Sequence, residues 1–373
     1  MTNYYVKTPL MHRHFPNLGD SNYASPTFMV KYEGFQPGGS FKSRGIGNLI
    51  YSKMKTIQES TNKTAEVFAS SGGNAGLAAA TTSHQLGLKC TVVVPKTTKP
   101  AMIARIKCVN ATVLIRGEDI YEADQYLKKE LLGRLDYSKI DPIYVHPFNN
   151  PLIWKGHSFL VDEIVDCLRD DGIKWSNIKG IVCSVGGGGL FNGIVQGLER
   201  HNLADKVPII GVETRGCEVF FESIRQGKRL EFTRPHSVAT SLCTSTITEE
   251  TLAYAKRYSS KSLVLEEHDV IDTCLRFTND SNMVTEPACG AALHVGYYPE
   301  LLHRALGPLN KDDIIIIIAC GGFSTSVADL KELKVKYEQQ NQQQSRAKAT
   351  SSDIPSSCMN SLNEMPLARI ISL

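Results

Sequence analysis

The stretch Ile181-Val-Cys-Ser-Val-Gly-Gly-Gly-Gly-Leu-Phe-Asn-Gly193 decides the fold class of this chain. A short run rich in β-branched residues, typical of a buried strand, passes through four glycines into a segment with helical periodicity. Strand, turn and helix in this order form the first half of a βαβ unit. No side chain blocks the backbone from Gly186 to Gly189, so several N–H groups at the helix start can converge on one phosphate.

A dinucleotide site is the alternative ligand for this glycine run, because Glu213 ends the next predicted strand, where an acid could bind a ribose. The spacing does not fit. A G-x-G-x-x-G pattern beginning at Gly186 or Gly187 requires glycine where the chain has Phe191 or Asn192. A single phosphate group is therefore the better candidate ligand for the glycine run.

The alternation of β-branched runs with helical stretches continues from Thr27 to Leu333 and predicts an α/β protein with mainly parallel open sheets. Several of the predicted strands are followed by glycines, and such junctions line the ligand crevice in open parallel sheets. The predicted strands are Phe28–Tyr32, Ala65–Ala69, Thr91–Val94, Thr112–Ile115, Ile181–Val185, Ile209–Glu213, Ser262–Leu265 and Ile314–Ile318.

Composition narrows the class of protein. The chain has 373 residues and a formal net charge of +3, with basic residues scattered, so nucleic acid is not expected as a partner. The ten cysteines form no CxxC pair, which gives no indication of zinc and fits a reducing compartment. No signal peptide or membrane-spanning segment is evident, and we expect a cytoplasmic protein, with a mitochondrial location left open.

The segment Gln36-Pro-Gly-Gly-Ser-Phe-Lys-Ser-Arg-Gly45 places Lys42 just inside a predicted helix, with Ser40 as a candidate cap. On this segment alone, a capped helix with a solvent-facing lysine is an equal interpretation. A second junction, Ser70-Ser-Gly-Gly-Asn-Ala-Gly76, offers hydroxyls, N–H groups and an amide that suit a carboxylate, although an ordinary turn would look similar.

A third junction follows the apolar run Ile314–Ala319, which leads into Cys320-Gly-Gly322 and a predicted helix at Phe323. A buried cysteine is usually inert packing. Together, however, the glycine junctions with Lys42, Asn74, Gly186–Gly189 and Cys320 match the parts of a pyridoxal-phosphate site. The combination is far more specific than any one junction.

On these residues the chain resembles the fold-type II pyridoxal-phosphate enzymes (tryptophan synthase β-like), and among them the catabolic L-serine/L-threonine dehydratases, particularly the fungal type. The resemblance extends from Lys7 to about Leu333. Three further segments carry it, namely His146–His157, Ser237–Leu242 and Glu286–Ala292. One departure is Phe323, which stands where relatives have a small polar residue.

The resemblance implies a role for each site residue. Lys42 would form the internal aldimine with pyridoxal 5'-phosphate, Phe41 and Ser241 would lie on opposite faces of its ring, and Asn74 would contact the ring hydroxyl. Cys320 would lie at the ring nitrogen as a neutral thiol, which favours β-elimination over transamination. The remaining roles fall to Gly186, Gly187, Gly188, Gly189 and Leu190 for the phosphate and to Ser71, Gly72 and Gly73 for the substrate carboxylate.

The implied reaction is the deamination of L-serine or L-threonine to pyruvate or 2-oxobutanoate plus ammonia. A racemase is the first alternative and is disfavoured, because related racemases have a serine where this chain has Gly72. A non-catalytic sensor of pyridoxal phosphate or an amino acid is the second. The resemblance further implies a homodimer and a K⁺ site formed by Glu213, Gly186, Cys217, Leu242 and Thr244.

We expect two domains and a tail. The large cofactor-binding domain would comprise residues 1–36 and 146–335, and the small domain residues 37–145. Residues 336–373 are rich in Gln, Ser, Asn and Lys, which predicts a disordered tail.

Overall fold

The computed structural model describes residues 4–350 and 368–372, and in them the strands and helices alternate as the sequence predicts. The strands are β1 (Leu10–Arg13), β2 (Thr27–Tyr32), β3 (Thr64–Ser70), β4 (Lys89–Val94), β5 (Thr112–Ile115), β6 (Ile140–Val145), β7 (Ile178–Ser184), β8 (Ile209–Thr214), β9 (Ser260–Leu265), β10 (Ile314–Ala319) and β11 (Arg369–Ser372). The α-helices are α1 (Lys42–Ser60), α2 (Asn74–Gln85), α3 (Pro100–Cys108), α4 (Ile120–Tyr126), α5 (Pro151–Asp170), α6 (Gly189–Arg200), α7 (Val219–Gln226), α8 (Glu249–Arg257), α9 (Glu267–Ser281), α10 (Pro287–Tyr297), α11 (Glu300–Leu306) and α12 (Val327–Thr350).

The larger sheet has the strand order β1-β2-β10-β7-β8-β9-β11. Its five inner strands are parallel, and the two edge strands, β1 and β11, are antiparallel to their neighbours. The inner strand β10 is buried at every residue, which explains why its sequence is an unbroken apolar run and not an alternating one.

The smaller sheet has the order β5-β4-β3-β6 and is parallel throughout. Pro142 lies in β6, which is an edge strand, where a missing N–H is tolerated. Helices α1, α2 and α3 contribute to the apolar core of this sheet, which is separate from the core around the larger sheet. Strands β3 to β6 all fall within 37–145, and movement of this unit as a domain stays a prediction.

The predicted α/β class is confirmed, and a strand covers each of the eight predicted positions. Of the predicted tail, the structure describes residues 336–350 and 368–372, and the disorder of the segment stays a prediction. Helix α12 runs to Thr350, consistent with the good helix propensity of Gln, Lys and Glu, and β11 pairs with the edge of β9. Residues 351–367 of the predicted tail lie outside the described residues.

Candidate active site

Lys42 lies at the first position of α1, and the loop before it is bound to the end of β10. The N–H of Phe41 donates to the carbonyl of Cys320 at 3.0 Å, and Ser40 pairs with Gly321 in an isolated bridge. The predicted side-chain cap by Ser40 is wrong: Phe41 occupies the cap position, and the buried Ser40 hydroxyl has no partner within the described residues. The backbone pairing with Gly321 holds Ser40 one residue too early to cap the helix.

The amine of Lys42 is directed at the segment after β6. Nζ donates to the carbonyl of Pro147 at 2.6 Å and lies 5.1 Å from the centre of the Phe41 ring, which packs on the buried ring of His157. Burial lowers the pKa of Lys42 to about 8, and Cys320 and Glu286 oppose this shift. A lysine with this pKa is partly neutral near pH 7 and can act as a nucleophile or base.

The glycine run forms a cradle at the start of α6. Gly188 has a φ of +91°, which disfavours any side chain. A Cβ at Gly187 would collide with the Phe148 ring, and one at Gly188 would collide with Thr251. The helix begins at Gly189 with no side-chain cap, so N–H groups around Gly189 and Leu190 remain for an anion. Phe148 follows Pro147 in the chain, and this contact brings the cradle close to Lys42.

Asn74 opens α2 directly after Ser71–Gly73, which are partly exposed at the end of β3. Its amide nitrogen donates to both oxygens of Glu286, at 2.8 and 3.0 Å, and its amide oxygen accepts the N–H of Phe323 at 3.0 Å. The loop Ser71–Gly73 is thereby joined, through Asn74, to the segment that follows Cys320. The expected helix start at Phe323 is wrong, because α12 begins only at Val327.

Cys320 is buried at the end of β10 beside a second thiol, that of Cys289. The hydrogen bond with Cys289 and burial raise the pKa of Cys320 well above its ordinary value. The thiol is therefore neutral at physiological pH. A ring-nitrogen partner that leaves the ring uncharged must be a neutral group such as this thiol, and that role of Cys320 stays a prediction.

The backbone of Ser241 and Leu242 lies against Gly186, since the carbonyl oxygens of both are 3.3 Å from the position of an ideal Cβ there. Three oxygens of the expected K⁺ site already have partners. The buried carboxylate of Glu213 accepts the N–H groups of Phe220 and Phe221, both at 2.8 Å, and the Leu242 carbonyl accepts the N–H of Thr244. The K⁺ site, which also includes Cys217, stays a prediction.

Glu286 is the site residue whose role the sequence did not indicate. It is 3% exposed, and its carboxylate accepts hydrogen bonds from Asn74 and from the hydroxyl of Ser324. A signal was present: a glutamate directly precedes Pro287–Tyr297, a helix that is buried along its whole length. A charged residue at such a position requires a buried polar partner.

These residues fit pyridoxal phosphate. The glycine cradle offers N–H groups to its phosphate, the Lys42 amine can attack its aldehyde, and the Cys320 thiol and Asn74 amide provide polar groups for its ring. In agreement with this geometry, the family of pyridoxal-phosphate dependent enzymes matches residues 1–321. The chain belongs to this family.

Individual relatives show which members of the family the chain is similar to. The chain is 53% identical over 333 residues to the catabolic L-serine/threonine dehydratase of Saccharomyces cerevisiae, covering 89% of this chain and 91% of the relative. An L-serine dehydratase of the same yeast is 48% identical, with coverages of 88% and 96%. The crystal structure of a fungal L-serine ammonia-lyase from Rhizomucor miehei matches with a TM-score of 0.78 and 30% identity, covering 90% of this chain and 99% of that one.

Among the residues of this pyridoxal-phosphate enzyme that the structure describes, 4–350 and 368–372, no helix combines the length and the apolar character needed to cross a membrane.

Proposed function

We propose that the protein is an L-serine/L-threonine ammonia-lyase, which converts L-serine to pyruvate and L-threonine to 2-oxobutanoate, each with release of ammonia. The single observation that carries the proposal is the position of the Lys42 amine. Its Nζ donates to the carbonyl of Pro147, beside the Phe148 ring that contacts the glycine cradle, and the residue before it is hydrogen-bonded to Cys320. Burial lowers the pKa of this amine. The name and the 53% identity of the yeast catabolic dehydratase support the same reaction.

Lys42 would have two tasks. Its neutral amine would hold the cofactor, and once freed by the substrate amine it would take up the α-proton of the amino acid. Pyridoxal phosphate, when bound, supplies an electron sink for the pair left on the α-carbon. Loss of the β-hydroxyl then gives an enamine, which hydrolyses in water to the ketoacid and ammonia.

The other predicted residues would hold the reactants. The N–H groups at Gly186–Gly189 and Leu190 bind the phosphate, and Ser71, Gly72 and Gly73 bind the substrate carboxylate. Phe41 and Ser241 contact the two ring faces. The thiol of Cys320 can share its proton with the ring nitrogen but does not keep that nitrogen positively charged as a carboxylate would, which favours elimination over transamination.

The surroundings of Gly72 support elimination over racemisation. A Cβ at Gly72 would collide with the side chain of Thr98, so no serine fits there unless Thr98 moves. The chain thus has no side chain at this position to reprotonate the α-carbon from the opposite face. Racemisation as the main activity would need a different proton donor.

Three further properties belong to the proposal. The protein forms a homodimer, it binds K⁺ near Gly186 and Leu242, and it acts in the cytoplasm. Light scattering measures the first, and activity in K⁺ buffer compared with tetramethylammonium buffer measures the second.

The function is tested by following ketoacid and D-serine together after L-serine is added to the purified protein with pyridoxal phosphate, with L-threonine in parallel. We expect ketoacid from both substrates and little D-serine. Faster formation of D-serine than of pyruvate would instead make the protein a racemase. A change in the visible absorption band without any ketoacid would make it a sensor.

A further inference from the structure

Glu286 occupies a position that frees its side chain for the active site. It precedes the first residue of α10, and its backbone carbonyl accepts the N–H groups of Cys289 and Gly290, at 2.8 and 2.9 Å. The backbone thus satisfies the start of the helix without help from the carboxylate. The side chain is directed instead at Asn74, 212 residues earlier in the chain.

Glycine at position 322 makes room for this carboxylate. Gly322 has a φ of +135°, and a Cβ there would collide with the Glu286 carboxyl group. The N–H of Gly322 donates to the carbonyl of Gly39 at 2.8 Å, which fixes the backbone beside the carboxylate. The hydroxyl of Ser324 is a second donor to Glu286. The carboxylate is therefore held from both sides.

The partners of Asn74 decide which way its amide faces. A carboxylate accepts hydrogen bonds and cannot donate them, so the amide nitrogen must face Glu286. A backbone N–H can only donate, so the amide oxygen must face Phe323. The flipped amide would place two donors together and two acceptors together. Both contacts thus select one orientation. Because the two oxygens near the amide nitrogen belong to one carboxylate, a single N–H can be shared between them, which leaves the second N–H of Asn74 for another ligand.

We propose that Glu286 is a positioning residue, which fixes the Asn74 amide so that it donates an N–H to the ring hydroxyl oxygen of bound pyridoxal phosphate. The inference rests on the proposed function, because the contact between Asn74 and the cofactor is itself part of that proposal. Donation to that oxygen stabilises its ionised form and with it the visible absorption band of the cofactor bound to Lys42. Glutamine in place of Glu286 can donate as well as accept, so it no longer selects one orientation of Asn74.

The test compares the wild type, Glu286→Gln, Asn74→Ala and the double variant, each loaded with pyridoxal phosphate. Two quantities are measured: the ratio of visible to near-ultraviolet absorbance, and the cofactor Kd from the quenching of protein fluorescence. We expect Glu286→Gln to shift absorbance towards the near-ultraviolet and to raise the Kd about tenfold. In the Asn74→Ala background the same change should have no further effect, because Glu286 acts through Asn74. Glu199→Gln, the same substitution at a carboxylate that accepts the Tyr258 hydroxyl and does not contact Asn74, is the matched control with a near-wild-type spectrum.

A wild-type spectrum and Kd in Glu286→Gln, or effects that multiply in the double variant, would overturn the inference. If the wild type itself shows no visible band with pyridoxal phosphate, the proposed function fails instead. A second pair of variants separates the proposed role of Glu286 from a loss of folding. Asn74→Asp sets two carboxylates together and should lower the Tm, and adding Glu286→Gln should restore the Tm but not the spectrum. A restored spectrum in that pair would show that no N–H donor at position 74 is needed.

Discussion

Strands β7 and β10 of the larger sheet are each followed by glycines, but the two glycine segments have different structural roles. After β7 the run Gly186–Gly189 leads at once into α6 and leaves the helix N–H groups available. After β10 the pair Gly321-Gly322 is followed by four residues before α12, and its backbone is bound to Ser40 and Gly39. Gly186–Gly189 is therefore the open end, a cradle for an anion. Gly321-Gly322 is the closed end, a glycine joint at which two backbone segments are hydrogen-bonded to each other. Lys42 is linked to both: the loop before it pairs with Gly321, and its amine donates to Pro147, next to the Phe148 ring that contacts the cradle.

Gly188→Ala is the strongest test of the open end. A side chain at a φ of +91° and in collision with Thr251 would displace the cradle, and we expect the cofactor Kd to rise about 100-fold. The Kd is measured by titrating the apoprotein with pyridoxal phosphate. Gly227→Ala is the matched control, because Gly227 is also in the left-handed region, with a φ of +64°, while a Cβ there meets nothing within 4 Å. An equal loss in both variants would mean that backbone strain, and not the cradle, controls binding.

Gly322→Ala tests the closed end. Its Cβ would push against Glu286, and we expect kcat/KM for L-serine to fall about tenfold, with a smaller change in cofactor Kd than in Gly188→Ala. Steady-state ketoacid assays and the same titration separate the two effects. A cofactor Kd raised as far as in Gly188→Ala would remove the distinction between the two ends.

The pH dependence of cofactor attachment tests the Lys42 amine. Burial lowers the pKa of Lys42 to about 8, and only the neutral amine attacks an aldehyde. The rate of attachment should therefore rise as the pH increases through about 8 and level off above it, an increase of about tenfold between pH 7 and pH 9. Stopped-flow absorbance of apoprotein mixed with pyridoxal phosphate measures this rate. A rate still rising steeply above pH 9 would mean that the amine is not desolvated.

Lys99→Ala should have the smallest effect. Lys99 donates to the Ser324 carbonyl at 2.9 Å and pairs with Asp329 at 3.1 Å, but both partners of the ion pair are well exposed. We expect a loss of stability of about 0.2–1 kcal/mol and a change in kcat/KM of less than about twofold. Lys96→Ala, which removes an exposed pair with Glu118, is the control. A loss of activity much beyond this range would show that the surface contact, and not the glycine joint, holds the segment after β10.

The sequence predicted those parts of the molecule whose signals are local. Buried parallel strands such as β10 are continuous apolar runs, and Lys42 and Gly186–Gly189 stand in motifs of a few residues. Strand β6 was missed because Pro142 argues against a strand, although its edge position tolerates proline. Strand β1 is short and mixed in character, and β11 lies in a polar segment. These strands depend on partners elsewhere in the chain.

For the candidate site, too, only local signals could be recognised in the sequence. The members that the motifs and the family resemblance indicated lie together, but the hydrogen bonds between them could not be predicted. Asn74 and Glu286 are 212 residues apart, and no spacing rule joins them. Ser40 is a second example. Its backbone pairs with Gly321, far along the chain, and Phe41 takes the cap position that Ser40 was predicted to fill.

The central claim is that the Lys42 amine both holds the cofactor and moves the proton. Its most direct test is steady-state ketoacid formation from L-serine and L-threonine by Lys42→Ala in the presence of pyridoxal phosphate. We predict a loss of about 1000-fold or more in kcat for both substrates, in a variant whose Tm stays near that of the wild-type apoprotein. Undiminished ketoacid formation by Lys42→Ala would contradict the claim.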